Sequence, residues 1–182
     1  GCYMKLHGRE DYHRHNIENV KKVCEFLGIE THVLDLQETF KKEVYDLFVN
    51  SYKDGITPNP CAHCNRLIKF GALWEFAKSL GCDKIATGHY ARIENGLIKS
   101  AIDETKDQSY FLAYVNKEVF KDVIFPLQDI EKPEVRKIAE EYKLVTASKK
   151  DSTGICFIGE RNFTKFLKNY LPNQSGNIVD IE

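Results

Sequence analysis

The hydrophobic positions in the first half of the chain recur at two spacings that alternate along the sequence. Short apolar runs of about four to eight residues predict buried strands, and apolar residues three or four positions apart predict helices that bury one face. The predicted strands are 1–6, 29–36 and 84–87, and the predicted helices are 17–27, 40–48 and 65–80. Strands and helices in this order favour an α/β fold, with a parallel sheet and flanking helices on both faces.

The pattern changes in the second half of the chain. Residues 92–102 predict a β-hairpin that turns at its Asn-Gly pair, a dipeptide that favours tight hairpin turns. The remaining predicted elements are helices at 133–142 and 162–170 and a strand at 178–182. Since the sequence after Pro126 is mainly helical, we predict an α/β domain over 1–125 and a small, mainly helical domain over 126–182.

Length and composition are those of an ordinary globular chain. Its 182 residues are 42% hydrophobic and 29% charged, enough for one domain with a small annex. No apolar run approaches the roughly 18 residues that a transmembrane helix needs, so no membrane association is predicted. The formal net charge of −1 argues against a protein that binds polyanions over its whole surface. Residues 132–168 nevertheless carry nine Lys or Arg against five Asp or Glu, which suits either a phosphate backbone or a solvated helical face.

The six cysteines are too few for the disulfide framework of a small secreted protein. Three of them, Cys61, Cys64 and Cys156, lie in segments rich in Pro, Gly, Ser, Thr and Asn, where loops are expected. We interpret these three as reactive thiols in a reducing compartment, and predict a cytoplasmic protein. No targeting signal is visible in the sequence.

Residues 57–65, which read Thr-Pro-Asn-Pro-Cys-Ala-His-Cys-Asn, are the sharpest local feature of the chain. The two prolines stiffen this segment. The helix predicted from residue 65 places Cys64 at a helix N-terminus, where unpaired N–H groups favour a nucleophilic thiolate. Three alternatives stay open: half of a zinc site with His63 and Cys82, a thioredoxin-like redox pair, and a rigid loop with incidental cysteines.

Three further segments carry polar chemistry. Asp-Ser-Thr-Gly-Ile-Cys-Phe at 151–157 sets Cys156 between apolar residues, where a lone cysteine is either structural or catalytic. Ala-Thr-Gly-His-Tyr at 86–90 follows a predicted strand, and ligands of open α/β sheets bind beyond the carboxyl ends of strands. Lys-Asp-Gln-Ser-Tyr-Phe at 106–111 opens an apolar stretch, as an ordinary capped helix also would.

Taken in order, these segments resemble those of one family. Pro-Asn-Pro-x-x-x-Cys-Asn, Ala-Thr-Gly-His-Tyr, Lys-Asp-Gln-Ser-Tyr-Phe and Asp-Ser-Thr-Gly-Ile-Cys-Phe-Ile-Gly-Glu-Arg make the whole chain similar to tRNA-specific 2-thiouridylases. The resemblance implies an ATP pyrophosphatase (PP-loop) domain of the adenine nucleotide hydrolase type. It implies a sulfurtransferase that uses ATP, with Mg²⁺, to adenylate the C2 oxygen of the wobble uridine of tRNA. Sulfur from a cysteine persulfide then replaces that oxygen, so a sulfur relay protein or cysteine desulfurase is an expected partner beside tRNA.

The resemblance also implies roles for individual residues. Cys156 would carry the persulfide, and Cys64 would be the nucleophile that attacks it, either releasing sulfide or resolving an enzyme disulfide. The other matched positions are Met4 and Gly88 for the adenine nucleotide, Asn59, Pro60 and Cys61 for the target base, and His89, Lys106, Asp107 and Gln108 for tRNA. The resemblance implies no metal ligand among them.

Two features depart from the family pattern. No two glycines are adjacent, so the Ser-Gly-Gly-x-Asp-Ser phosphate loop is absent from these 182 residues. We expect a fragment that lacks this loop and a C-terminal β-barrel, and that is inactive when isolated. Cys61 stands where many members carry an aspartate proposed as a general acid or base. Two other function classes stay open: a different PP-loop ATP pyrophosphatase, such as an amide-forming synthetase, and a non-catalytic tRNA-binding fragment.

Overall fold

The computed structural model describes residues 1–149 and 154–171. Its strands are β1 (Cys2–Lys5), β2 (His32–Asp35), β3 (Ile85–Ala86), β4 (Arg92–Glu94), β5 (Leu97–Lys99) and β6 (Val123–Ile124). Its α-helices are α1 (Glu10–Leu27), α2 (Gln37–Phe40), α3 (Leu47–Lys53), α4 (Pro60–Cys64), α5 (Leu73–Ser79), α6 (Lys132–Glu141) and α7 (Phe163–Lys168). Two π-helical stretches, Lys41–Asp46 and Asn65–Ala72, and three 3₁₀ turns, Glu104–Lys106, Ser109–Leu112 and Lys117–Asp122, complete the described elements. None of these helices is long and apolar enough to cross a lipid bilayer. The strand predicted at 178–182 lies outside the described residues.

Parallel strand pairs establish the α/β class. β1 pairs with β2, so that Met4 lies opposite Leu34, and β3 pairs with β6, so that Ala86 lies opposite Ile124. Within the described ranges these pairs are separate two-stranded sheets rather than one continuous sheet. The α/β prediction is therefore confirmed in its coarser form. β6 has no signature in the sequence, because a strand of two residues is too short to show a period.

The predicted hairpin is confirmed. β4 and β5 pair antiparallel, with Ile93 opposite Ile98. The two turn residues, Asn95 and Gly96, have φ angles of 53° and 74°. A two-residue turn with positive φ at both positions matches the right-handed twist of the strands that it joins, and asparagine and glycine tolerate that conformation best.

The helix that carries Cys64 begins at Pro60, not at the predicted residue 65. Asn59 caps it, because its Oδ1 accepts a hydrogen bond from the Ala62 N–H at 3.1 Å, and proline takes the first position, where a missing N–H is tolerated. α4, the second π-helical stretch and α5 then follow without a break as far as Ser79. Cys64 thus lies inside a helical run, and the prediction that it sits at a helix N-terminus is wrong. The proline pattern misled the prediction because proline marks loops and helix starts alike.

Two clusters of buried side chains form the core of the described part of the chain. The first brings α5 against the β3–β6 pair, and its largest members are Phe70, Trp74, Leu112, Phe120 and Phe125. The second joins the helical run of 37–53 and the Cys64 helix to residues 155–167. Its buried members are Phe40, Val44, Phe48, Val49, Cys64, Ile68, Phe157, Ile158 and Phe166. Residues on both sides of Pro126 therefore share the second cluster, while the domain division at 125 stays a prediction.

Phe157 lies at the centre of the second cluster. The centroid of its ring is 5.2 Å from those of Tyr45 and Phe48, 5.9 Å from that of Phe40 and 6.2 Å from that of Phe166. Rings at these separations and tilts attract one another beyond their hydrophobic burial. This packing fixes the segment that carries Cys156 against helices from the first half of the chain.

Replacing Phe157 with alanine should lower the free energy of unfolding by about 3–5 kcal/mol, because a ring that is only 4% exposed would leave a cavity in the second cluster. Phe26→Ala is the matched control, since that ring is 59% exposed on α1 and its loss should cost less than about 1 kcal/mol. Urea denaturation followed by circular dichroism measures both. Equal losses in the two variants would contradict the role of Phe157.

Candidate functional site

Three cysteines line one cavity of about 320 Å³, which we call the thiol cavity. Cys61 and Cys64 lie on α4, and Cys156 follows Gly154, whose φ of 62° favours glycine. All three thiols are free. A larger cavity of about 690 Å³ has no cysteine among its described lining residues. Because the thiol cavity collects reactive groups from distant parts of the chain, it is the candidate site.

Polar and apolar side chains share the wall of the thiol cavity. Besides the cysteines, the polar lining residues are Asn65, Lys69, His89 and Gln108. Aromatic and aliphatic side chains fill much of the rest, among them Phe40, Val44, Phe111 and Phe157. No carboxylate is found among the described lining residues. Any negative charge that forms in this part of the cavity must therefore come from a thiol or from a ligand.

Burial governs the pKa of the three thiols. It raises the pKa of Cys64 to about 11, and the positive charge of Lys69 opposes that rise. Burial also raises the pKa of Cys61 and that of Cys156, again against the influence of Lys69. The Cys156 side chain nevertheless keeps an exposed face. The cavity by itself thus favours neutral thiols, in contrast to the thiolate that a helix N-terminus would favour.

His89 is buried, and each of its ring nitrogens has its own partner. Asn65 Nδ2 donates to the Phe111 carbonyl oxygen at 3.0 Å, which turns Asn65 Oδ1 toward His89 Nε2 at 3.1 Å. Thr87 Oγ1 lies 2.7 Å from His89 Nδ1. The Asn65 orientation assigns the ring proton to Nε2, which donates to Asn65 Oδ1, and leaves Nδ1 to accept a hydrogen bond from the Thr87 hydroxyl. This network fixes the residue that directly follows Cys64.

Arg161 anchors the segment that follows Cys156. Its Nε donates to the Ile158 carbonyl oxygen at 2.8 Å, and its Nη2 donates to the Phe157 carbonyl oxygen. The guanidinium carbon also lies 5.3 Å from the centroid of the Phe166 ring. Charge-assisted donors and a stacked ring together hold these backbone groups in place.

A comparison with protein families identifies the chain. The family described as "tRNA methyl transferase HUP domain" matches residues 1–160. The chain belongs to this family. The match includes both segments that bring cysteines to the thiol cavity, so the cavity is built from residues of the HUP domain.

Several curated relatives of this HUP-domain chain carry the same name. "tRNA-specific 2-thiouridylase MnmA" of Campylobacter lari is 56% identical over 181 residues, which are 98% of this chain and 53% of the relative. The proteins of the same name from Campylobacter fetus subsp. fetus and Campylobacter jejuni are each 54% identical, over 98% and 99% of this chain and 56% and 54% of their own lengths. The predicted resemblance is confirmed. The chain spans about half the length of the curated relatives it matches.

The structure brings most of the predicted site residues together. Those that line the thiol cavity are Pro60, Cys61, Cys64, His89, Gln108 and Cys156. Asn59 caps the helix beneath Pro60 and Cys61. The sequence analysis assigned chemical roles to these residues. Their positions around one cavity are observed, and their roles stay predictions.

The four residues predicted to contact tRNA differ in their surroundings. Lys106 is exposed, whereas His89 is buried. Asp107 accepts hydrogen bonds from the Ala101 N–H at 2.8 Å and from the Ser109 hydroxyl at 2.7 Å. Gln108 Oε1 accepts from the Tyr90 N–H at 3.1 Å. Asp107 and Gln108 therefore also fix the loop between the hairpin and the Ser109–Leu112 turn.

The two positions predicted to contact the nucleotide belong to different parts of the fold. Met4 is in β1 and packs against the second cluster. Gly88 follows β3 and is exposed, and a Cβ added there would meet only the Leu127 Cδ1, at 3.7 Å. The described residues include no group of three His, Cys, Asp or Glu side chains that could hold a metal ion. Neither the zinc alternative nor a protein-held Mg²⁺ is supported within those residues.

Lys69 is a site residue that the sequence patterns did not single out. It follows Cys64 by five positions, a spacing that points to different sides of a regular α-helix. Asn65–Ala72 is π-helical, and its i→i+5 bonding returns Lys69 to the side of Cys64. The one feature of the sequence that could have indicated Lys69 is its place between two apolar residues, Ile68 and Phe70. Both are buried in the structure.

His89 should make the stability of the protein depend on pH. Burial lowers the pKa of His89 to about 3, below the roughly 6.5 of an unfolded chain, so the unfolded state binds the proton more tightly. The folded state is therefore favoured by the neutral ring above pH 6.5. This stability is lost as the pH falls from 6.5 toward 3, because the unfolded chain takes up the proton. Between pH 7 and pH 5 the free energy of unfolding should fall by about 2 kcal/mol through this residue.

Urea denaturation at pH 7 and pH 5 tests this, with His89→Gln as the variant that lacks the buried ring. The fall in the wild type should exceed that in His89→Gln by about 2 kcal/mol. His15→Gln removes an exposed ring from α1 instead and should keep the wild-type difference. If the His89 ring protons shift in NMR spectra of the folded protein between pH 7 and pH 5, the explanation is wrong.

Proposed function

We propose that this chain supplies the sulfur-transfer site of an enzyme that makes 2-thiouridine at the wobble position of tRNA. The observation that carries the proposal is that Cys64 and Cys156, which are 92 positions apart in the sequence, line one cavity. The names of the relatives support the reaction, and the free thiols support the chemistry. Since those thiols must stay reduced, the proposed location is the cytoplasm.

In the proposed reaction ATP and tRNA are substrates. Adenylation of the uridine C2 oxygen converts it into part of an AMP leaving group, which a sulfur nucleophile can displace. The sulfur is the outer atom of a persulfide on Cys156, loaded by a persulfide-donating protein. Because Cys156 keeps an exposed face while it lines the cavity, it is suited to receive sulfur from outside and to pass it inward.

Two routes of transfer use the same pair of residues. In the first, the Cys156 persulfide attacks C2 and AMP leaves, after which the Cys64 thiolate attacks the Cys156 Sγ and frees the thiolated base. In the second, Cys64 attacks the Cys156 Sγ first, and the hydrosulfide that leaves then displaces AMP. Both routes end with a Cys64–Cys156 disulfide, which an external thiol must reduce before the next cycle.

The target base is proposed to enter beside the first turn of α4. Asn59, Pro60 and Cys61 form a rigid rim there, because the cap and the proline fix the backbone. A base must leave its stack to reach such a pocket. His89 and Gln108 would meet only a base inside the cavity, whereas the exposed Lys106, next to Asp107, is suited to a phosphate.

The nucleotide is proposed to bind near Met4 and Gly88, where the exposed Gly88, which has no side chain, would let a flat ring approach the backbone. Mg²⁺ would accompany the ATP phosphates, but the described residues offer no set of ligands for it. We propose that the two parallel strand pairs, β1–β2 and β3–β6, belong to one domain of the adenine nucleotide hydrolase type over 1–125. Residues 126–182 would form the helical domain that faces tRNA.

A chimera tests the proposal with the residues of this chain. This chain replaces the matching segment of the Campylobacter lari relative, and 2-thiouridine is measured by mass spectrometry of tRNA from a strain that lacks its own enzyme. The chimera should thiolate tRNA. Cys64→Ser and Cys156→Ser should each lower 2-thiouridine by about a hundredfold or more, because the nucleophile or the sulfur carrier is gone.

Cys82→Ser is the matched control, since that thiol is exposed and does not line the cavity. Cys61→Ser and Cys61→Asp should keep most of the activity if Cys61 only shapes the pocket for the base. A loss in Cys61→Ser as severe as in Cys64→Ser would instead make Cys61 a catalytic thiol. Full thiolation by the Cys64→Ser chimera would contradict the proposed function.

A further inference from the structure

Lys69 is a charged residue in the wall of the thiol cavity that the two transfer routes leave without a role. It lies half-buried on the π-helical stretch between Ile68, which is fully buried, and Phe70, which is 3% exposed. Within residues 1–149 and 154–171 its ammonium forms no ion pair with a carboxylate. An ammonium that lines a cavity of thiols without a counter-ion among those residues is available to an anion that forms there.

The polar atom within hydrogen-bond distance of Lys69 Nζ is His89 Nε2, at 3.3 Å. That nitrogen carries the proton that points to Asn65 Oδ1, so it has no lone pair to offer the ammonium. The positive charge therefore faces the cavity without an anionic partner among the described residues. An anion that forms in the cavity would be attracted to it.

The thiols are the groups in the described wall that can supply this anion. Lys69 opposes the effect of burial on the pKa of each of them. Cys64 is the buried member of the three, and its helical run returns Lys69 to the same side through i→i+5 bonding. Cys64 is thus the thiol that water stabilises least and that depends most on a neighbouring cation.

We propose that the Lys69 ammonium is the counter-ion of the Cys64 thiolate, and that this ion pair makes Cys64 the nucleophile of the thiol cavity. When the pair forms, the Cys64 proton passes to a base in the solvent, the sulfur keeps its electron pair, and the Lys69 N–H groups donate to it. The role of this ion pair in sulfur transfer rests on the proposed function. The existence of the ion pair does not depend on that function.

The other titratable groups that face Cys64 within the described residues cannot replace Lys69. Cys61 on the same helix and Cys156 on the facing segment are thiols, which become negative when they ionise. His89 faces the cavity from the loop after β3, and burial keeps its ring neutral by lowering its pKa to about 3. Lys69 is therefore the group that can balance a negative charge on Cys64.

Alkylation of the 182-residue chain without ligands tests the proposal. Iodoacetamide is added at several pH values between about 7 and 9.5, and the rate at Cys64 is read by peptide mass spectrometry. Since only the thiolate reacts, the rate should rise about tenfold per pH unit below the pKa. Lys69→Met should lower the rate about tenfold at every pH. This substitution shortens the side chain, so a slower reaction cannot come from blocked access.

Lys69→Arg should restore the rate to within a few-fold of the wild type, because it keeps the charge. Lys78→Met is the matched control and should leave the rate unchanged. Lys78 lies on the same helical run, but its ammonium is 5.0 Å from the centroid of the Trp74 ring and outside the cavity wall. An unchanged rate in Lys69→Met would overturn the proposal and leave Lys69 as a phosphate ligand or a structural residue.

If Lys69→Met does not fold, the wild-type chain decides the matter through the charge of the reagent. Iodoacetate carries a negative charge and iodoacetamide does not, so a nearby ammonium favours the former. The ratio of the two rates should be higher at Cys64 than at the exposed Cys82, and an equal or lower ratio would overturn the proposal. These rates are measured without tRNA, so failure here is distinct from failure of the chimera to thiolate tRNA.

Discussion

The packing of the Phe157 ring between helices of the first half of the chain is the contact on which the site depends. Tyr45 and Phe48 approach it from the helical run of 37–53, and Phe166 approaches it from α7. Its neighbour in the sequence is Cys156, so burying the ring also brings a thiol to the wall that holds Cys61 and Cys64. Arg161 fixes the same segment through the Phe157 and Ile158 carbonyl groups. A hydrophobic contact thereby determines which cysteines can meet.

The same burial disfavours a negative charge on the thiols of the cavity. Apolar walls exclude water and raise the pKa of the thiols, which makes them poor nucleophiles in the absence of a cation. The buried His89 does not supply that cation, because its ring stays neutral and is hydrogen-bonded to Asn65 and Thr87. Lys69 carries the positive charge. A cavity that holds the buried Cys64 neutral at rest, and ionises it beside Lys69, would protect this thiol from oxidation.

The sequence predicted what depends on regular periods and local turn chemistry, and failed where neither decides the structure. The α/β alternation and the Asn95-Gly96 turn follow from rules that act over a few residues. The start of α4 at Pro60 was missed because proline occurs both in loops and at the first position of helices. The two-residue strand β6 was missed because it is too short to show a period. Resemblance to a family brought Cys64 and Cys156 into one hypothesis. Lys69 was missed because its position depends on a π-helical stretch, and no pattern in the sequence predicts that stretch.

The central claim is that Cys64 and Cys156 act on each other, and the most direct measurement is a map of disulfides after one turnover. The active chimera is loaded with sulfur, mixed with ATP and tRNA without reductant, and quenched with acid and an alkylating reagent before peptide mass spectrometry. Both transfer routes require a Cys64–Cys156 disulfide, which brings the two Cα atoms within about 7 Å. A peptide pair joined through Cys64 and Cys156, in proportion to the 2-thiouridine formed, is the predicted result. A Cys61–Cys64 disulfide with an alkylated Cys156 would contradict the account.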